Sequence, residues 1–226
     1  MRGRSAPAVL PPPLRVGVGL IAALAALVVA VLGALYAGDG KPGVVDARVR
    51  AAVDDVGPSW RHVALAVDFL GEPGGAATLV VVLVTGCLLL RCPRAAVLAV
   101  VGVGMSVGTA TLLKSLVGRT IHDGNLSYPS GHTAFLTALA LVVALLASGR
   151  LGLGGTAGTS LVLAAALVAG AAMGWAQVAL DAHYPTDVLG GWCTALAVIP
   201  ATAWVVDRVA DRRVVRVADA GRREPR

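Results

Sequence analysis

Charge is what this chain has least of. Asp, Glu, Lys and Arg make up 14% of its 226 residues, against about 25% in an ordinary soluble domain. Hydrophobic residues account for 57%, and the mean hydropathy is +0.79. A soluble globule of this length has no way to hide that much apolar surface, and a disordered chain would not carry it. Cysteine is also scarce. Cys87, Cys92 and Cys193 follow no pairing pattern and no zinc or iron–sulfur spacing, which excludes a disulfide framework, so they are read as packing residues. No internal repeat is visible. That absence, with the near absence of charge inside the apolar runs, speaks against a transporter.

What is present is a set of long charge-free runs: 16–38, 73–90, 95–113, 133–149, 151–180 and 188–206. A bilayer core about 30 Å thick takes roughly 20 helical residues to cross. The six runs therefore predict an all-α, polytopic membrane helix bundle of about six transmembrane helices. The fifth helix is expected at 158–180, because the start of its run (Leu-Gly-Leu-Gly-Gly-Thr-Ala-Gly) reads as a loop. The first run is too long for a signal-peptide core and is expected to remain as an uncleaved span. The domain plan is a cytoplasmic tail over 1–15, a membrane domain over 16–207 and a basic cytoplasmic tail over 208–226. Within the outer loop 39–72, Trp60–Leu70 has apolar residues at helical spacing and reads as an interfacial helix or an early extension of the second span. Trp60 and Trp204 sit where lipid-interface anchors belong.

Orientation follows from the basic residues. Arg2, Arg4 and Arg15 precede the first span, Arg91 and Arg94 lie between the second and third, Arg150 lies between the fourth and fifth, and seven arginines against four acids follow from Asp207. Six spans put all four segments on one side, which the positive-inside rule makes cytoplasmic. The net charge of +6 is then explained by these flanks beside anionic lipid, and nucleic-acid binding is not expected.

The polar chemistry collects on the opposite side. One segment runs from Lys114 through Arg119 and His122 to Tyr-Pro-Ser-Gly-His-Thr at 128–133, and the other is Asp-Ala-His-Tyr-Pro-Thr-Asp at 181–187. Together they hold three of the four histidines; the fourth, His62, is in the outer loop. Ser130-Gly131-His132 opens the fourth helix, and free N–H groups with a partial positive charge at a helix start suit a phosphate. Ser130 also suits a plain helix cap. His183 and Asp187 share a helical face at the start of the sixth helix. There the carboxylate holds one imidazole nitrogen and leaves the other as a nucleophile, or the pair simply anchors the helix end. Lys114, near the end of the third span, lines a polar site or snorkels to the interface. Arg119 offers paired donors to phosphate, or serves as a loop residue.

These residues resemble the type 2 phosphatidic acid phosphatase family, the membrane branch of a superfamily shared with vanadium haloperoxidases. Its Pro-Ser-Gly-His motif matches 129–132 in full. The His-x-x-x-Asp half of its last motif matches His183 and Asp187, and its first-motif Lys aligns with Lys114. The resemblance covers about 75–207. Two motif positions depart from it: the first-motif Arg-Pro is Ile121-His122, and the last-motif Ser-Arg is Ala176-Gln177. Arg119, His122 and Gln177 are then the candidate replacements for the two absent arginines. The resemblance implies that His183 attacks phosphorus, Asp187 orients it, and His132 protonates the leaving oxygen and then activates water. It implies that Lys114, Arg119, Ser130 and Gly131 hold the phosphoryl oxygens, without metal or other cofactor. The implied substrate is a lipid phosphate or a polyprenyl mono- or diphosphate, taken from the outer face of a plasma membrane. Two other readings stand beside this one. The first is a relative that binds lipid phosphates without turnover; the second is a metal-dependent hydrolase using His122, His132, His183 and Asp187. Oligomeric state is not readable.

Overall fold

The computed structural model describes residues 7–54, 59–122 and 124–223. It contains eight α-helices and one short β-ribbon. The helices are α1 (Arg15–Leu35), α2 (Val44–Asp54), α3 (Ser59–Asp68), α4 (Pro73–Leu89), α5 (Pro93–Val117), α6 (Gly131–Arg150), α7 (Gly155–Ala179) and α8 (Pro185–Arg223). The ribbon pairs β1 (Thr120–Ile121) antiparallel with β2 (Asn125–Leu126). Local chemistry sets the helix starts. Pro73, Pro93 and Pro185 each open a helix, where a missing N–H costs nothing. The Ser130 side chain caps α6 by accepting the Thr133 N–H.

Five helices are long and apolar enough to cross a membrane: Pro12–Leu35, Pro93–Val117, Gly131–Arg150, Gly155–Ala179 and the first part of α8 to Arg213. Helices α3 and α4 meet at a 60° bend and pass the same test of length and composition only as a pair, which brings the candidate spans to six if the pair counts as one broken span. At 1.5 Å per residue, the 17 residues of α4 alone reach only about 25 Å. Trp60–Leu70 therefore belongs to a separate helix joined to the second span by a break, with the edge of Trp60 on Trp175 of α7. The fifth span begins at Gly155, slightly earlier than the expected start at 158. The helix that carries the sixth span does not end near Val206: α8 continues to Arg223, through most of the basic stretch.

Helix α6 is central, packed against α5, α7 and α8, while α1 lies against α8, and α4 lies against α5. Small residues permit this closeness. At Gly191 a Cβ would strike the Ser130 carbonyl, so α8 passes directly beneath the start of α6. On the face opposite the site, Asp207 of α8 accepts the backbone N–H groups of Val9 and Leu10 (2.9 Å each) and pairs with Arg94 of α5 (3.2 Å). This buried carboxylate ties the N-terminal segment to two spans.

Candidate active site

The starts of α2, α4, α6 and α8, the ends of α3, α5 and α7, and the segment between α5 and α6 converge at one end of the bundle. The link between α6 and α8 is direct: the Ser130 N–H donates to the Asp187 carbonyl oxygen at 2.9 Å. His183 does not lie inside α8, because Pro185 starts the helix; it sits in the turn just before it. Asp187, the third helical residue, reaches back to the Tyr184 N–H with Oδ2 (3.1 Å), half of a capping box. The same Oδ2 lies 3.7 Å from His183 Nδ1, which has no hydrogen-bond partner among the described residues. A small rotation would close that gap, and resting catalytic pairs are commonly this loose. Burial pushes the His183 pKa below its ordinary value; the nearby charges of Lys114 and His132 act in the same direction, and Asp187 opposes them. The ring is thereby kept neutral, with a lone pair.

His132, the second residue of α6, presents Nε2 to two carboxylates: Asp68 Oδ1 at 3.7 Å and Glu72 Oε1 at 3.6 Å. Both acids flank the α3–α4 break, and Gly71 of that break presses on the imidazole, leaving no space for a Cβ. Gln177 is buried and donates Nε2 to Asp68 Oδ1 at 2.5 Å. The position where the resemblance expects an arginine therefore holds an amide committed to an acid. His122 is half exposed and turned to Asp181, with Nε2 2.9 Å from both its carbonyl oxygen and its Oδ2. Lys114, in the last turn of α5, is near enough to Asp187 and His183 to be coupled to their charges.

Arg119 is fully enclosed. Its Nη1 donates to Thr186 Oγ1 and Asp187 Oδ1 (2.6 Å each), and its Nη2 donates to Asp46 Oδ2 (2.7 Å). The guanidinium lies between the rings of Tyr36 and Tyr184, 4.0 and 4.5 Å from their centroids. Asp46, on α2, is the residue that sequence reasoning missed. It is fully buried, and it also accepts the Thr186 N–H and hydroxyl at 2.9 Å each. Burial pushes its carboxyl pKa up, but the bonds from Arg119, Thr186 and Gly43 outweigh this and hold it below the ordinary carboxylate value. A single Asp in a long outer loop carries no sequence signal for that role.

The donor set that approaches metal-ligand spacing is Asp68, Glu72 and His132, whose ligand atoms lie within 4.8 Å of one another. It shares only His132 with the metal-dependent alternative considered from sequence. An apolar groove of about 670 Å³ runs away from His132 and Gly131 between α4, α5 and α6, walled by Ala76, Val80, Val103, Val107 and Phe135.

The fold and this constellation define a class: a multi-pass helical membrane protein with a His/Asp pair set against a Ser-Gly-His helix start. The family model of the PAP2 superfamily matches residues 76–211, more than half of the chain, and the protein belongs to that superfamily. Among solved structures, the chain is similar to the crystal structure of a transmembrane PAP2-type phosphatidylglycerolphosphate phosphatase from Bacillus subtilis. The TM-score is 0.63 at 20% identity, with 84% of this chain and 96% of that one covered. At that identity the likeness establishes the shared fold. No curated protein matches the chain.

Proposed function

We propose that the protein is an integral membrane phosphatase that hydrolyses lipid phosphate monoesters or polyprenyl phosphates and diphosphates through a phosphohistidine. The observation that carries this reading is the buried His183 beside Asp187, next to an α6 start whose Gly131 and His132 head an apolar groove. The free His183 nitrogen attacks phosphorus, and the bond from phosphorus to the ester oxygen breaks. His132 gives its proton to the departing oxygen. His132 then takes a proton from water, whose oxygen attacks phosphorus; the P–N bond breaks, inorganic phosphate leaves and His183 is restored. Asp187 stabilises the charge on His183 in between. No step calls for a metal.

The phosphoryl oxygens are assigned to Lys114 and to the start of α6, with the Ser130 hydroxyl and the Gly131 N–H. Gln177 and His122, which give their polar groups to Asp68 and Asp181, are not needed for this set. The groove accommodates the lipid tail while the phosphate stays at headgroup depth. The basic flanks support cytoplasmic termini and a site open to the outer face of the plasma membrane.

A second reading, lipid phosphate binding without turnover, is favoured by two acids beside His132 and a committed Gln177. Phosphate release by the purified protein in detergent separates the readings, using phosphatidic acid and polyprenyl mono- and diphosphate, with and without EDTA, beside His183→Ala. Turnover that survives EDTA and disappears in the variant is expected. Bound lipid phosphate without turnover establishes the second reading. Activity lost to EDTA and restored by Mg²⁺ would instead assign Asp68, Glu72 and His132 to a metal.

A further inference from the structure

We infer that Arg119 and Asp46 are positioning residues for the nucleophile: Asp46 holds Arg119 so that Arg119 pins one oxygen of Asp187 and leaves the other for His183. The inference rests on the reading of His183 as nucleophile.

Arg119 is the obvious phosphate ligand by composition, lying between Lys114 and the Ser-Gly-His helix start. Its surroundings assign it otherwise. The guanidinium is fully buried, both of its terminal nitrogens are bonded to protein oxygens, and aromatic rings cover its faces. A phosphate would have to displace Asp46 or Asp187 to reach those nitrogens.

The bonds form a continuous chain across the fold. Asp46 on α2 accepts from Arg119 with Oδ2, and its Oδ1 holds the N–H and hydroxyl of Thr186 in the first turn of α8. Thr186 in turn accepts from Arg119 Nη1, the nitrogen that also reaches Asp187 Oδ1. One carboxylate, one guanidinium and one hydroxyl therefore fix the Asp187 side chain on its Oδ1 side. Its Oδ2 has two neighbours, the Tyr184 N–H at 3.1 Å and His183 Nδ1 at 3.7 Å. A carboxylate clamped this way keeps one lone-pair direction aimed at the imidazole and favours the ring form that carries its proton on Nδ1. Arg119 lies between two carboxylates, and Lys114 is the further cation near His183. Only a planar fork can serve Asp46 and Asp187 together, so lysine is no replacement.

The test uses the full chain in detergent micelles, labelled with ¹⁵N-histidine. The His183 ring signals are identified by their loss in His183→Gln, and long-range ¹H–¹⁵N correlation reads the ring form directly. Wild type is expected to show a single form protonated on Nδ1. Asp46→Asn, Arg119→Gln and Arg119→Lys are each expected to convert it to a mixture, with the His132 signals unmoved. The Asp46→Asn/Arg119→Gln double variant removes the buried cation together with one of its two carboxylates, so it unbalances the interior by one charge fewer than Arg119→Gln alone, and it gives the same spectrum should the single variants fold poorly. In turnover, each variant is expected to lose at least tenfold in kcat with KM within twofold. Combining any of them with Asp187→Asn should cost no more than Asp187→Asn alone, because they act through that carboxylate.

An unchanged His183 spectrum in folded Asp46→Asn and Arg119→Gln would overturn the inference. So would a tenfold rise in KM and in the inhibition constant of inorganic phosphate for Arg119→Gln, since that marks a phosphate ligand. The spectrum needs no turnover. A wild-type protein that shifts as described but hydrolyses nothing would sink the phosphatase reading and leave the positioning chain standing.

Discussion

The contact between Gly71 and His132 allows a sharp test of the second histidine. Gly71 lies in the break between α3 and α4, and a Cβ added there would sit closer to the His132 ring than the 3.0 Å that real Cβ contacts respect. In Gly71→Ala, either the ring or the α3–α4 break must move. The break is held through Asp68 by Gln177 and through the Trp60–Trp175 contact, both onto α7. His132 Nε2 has no hydrogen bond of its own, so the ring is the part expected to yield, by about 1 Å. A displacement of that size costs on the order of 100-fold when the moved group takes part in the chemistry. The loss should depend on the leaving group. A lipid alkoxide needs a proton to depart, whereas nitrophenolate does not. The assay is therefore pre-steady-state hydrolysis of a lipid phosphate and of p-nitrophenyl phosphate by the same preparation. The expected result is a first turnover about 100-fold slower on the lipid phosphate, with the nitrophenolate burst nearly intact and the turnover after it slowed. Equal losses in the first turnover of both substrates would refute His132 as the proton donor. Activity within twofold of wild type on both would show that the break gives way instead.

Two further outcomes follow from the same geometry. Burial lowers the pKa of His183 from its ordinary 6.5, and the nucleophile must be neutral, so the acid limb of kcat/KM is expected below pH 6.5, with activity retained as the pH falls through that value; a limb at or above it would contradict a buried neutral nucleophile. On the opposite face, Asp207→Ala leaves the buried Arg94 with Asp211 as its remaining carboxylate and frees two backbone N–H groups, and thermal or denaturant unfolding in detergent should show a loss of about 2–4 kcal/mol, with Asp207→Asn losing less; an unchanged midpoint would mean that the tie contributes nothing.

The spans were legible because the bilayer imposes a length and forbids charge: five of the six charge-free runs hold helices that meet both conditions, and the shortest, 73–90, does so only together with α3. Helix starts were legible where proline or Ser-Gly marks them, as at Pro73, Pro93, Ser130 and Pro185. The α3–α4 bend was not, since Trp60–Leu70 has ordinary helical spacing and only packing against α7 sets its angle. Nor was the length of α8: beyond Val206 the chain becomes charged, which ends a span but does not end a helix. His132, His183 and Asp187 were visible through motif spacing. Asp46 and Asp68 were not, because each acquires its meaning from a partner far away in sequence, Arg119 and Gln177 respectively.

Arg119 shows why residue type alone misleads at such a site. Its charge and its place between Lys114 and Ser130 suit a phosphate ligand, and that was the sequence expectation. The structure adds a competing anion, Asp46, delivered by α2 from the outer loop, and a second, Asp187, from the start of α8. Desolvating a guanidinium is costly, and the cost is met only when the donors have fixed partners. Two carboxylates, a hydroxyl and two aromatic faces meet it here for both terminal nitrogens, while Nε has no partner among the described residues. A phosphate offered to the same site finds Lys114 and the α6 start still available, and meets Asp68 and Glu72 beside His132 on the other flank. On the proposed reading, the positive field offered to the phosphate is therefore set mainly by one ammonium and one helix terminus. The outer loop, which looks like a connector in the sequence, supplies the acids that determine which cations remain for the substrate.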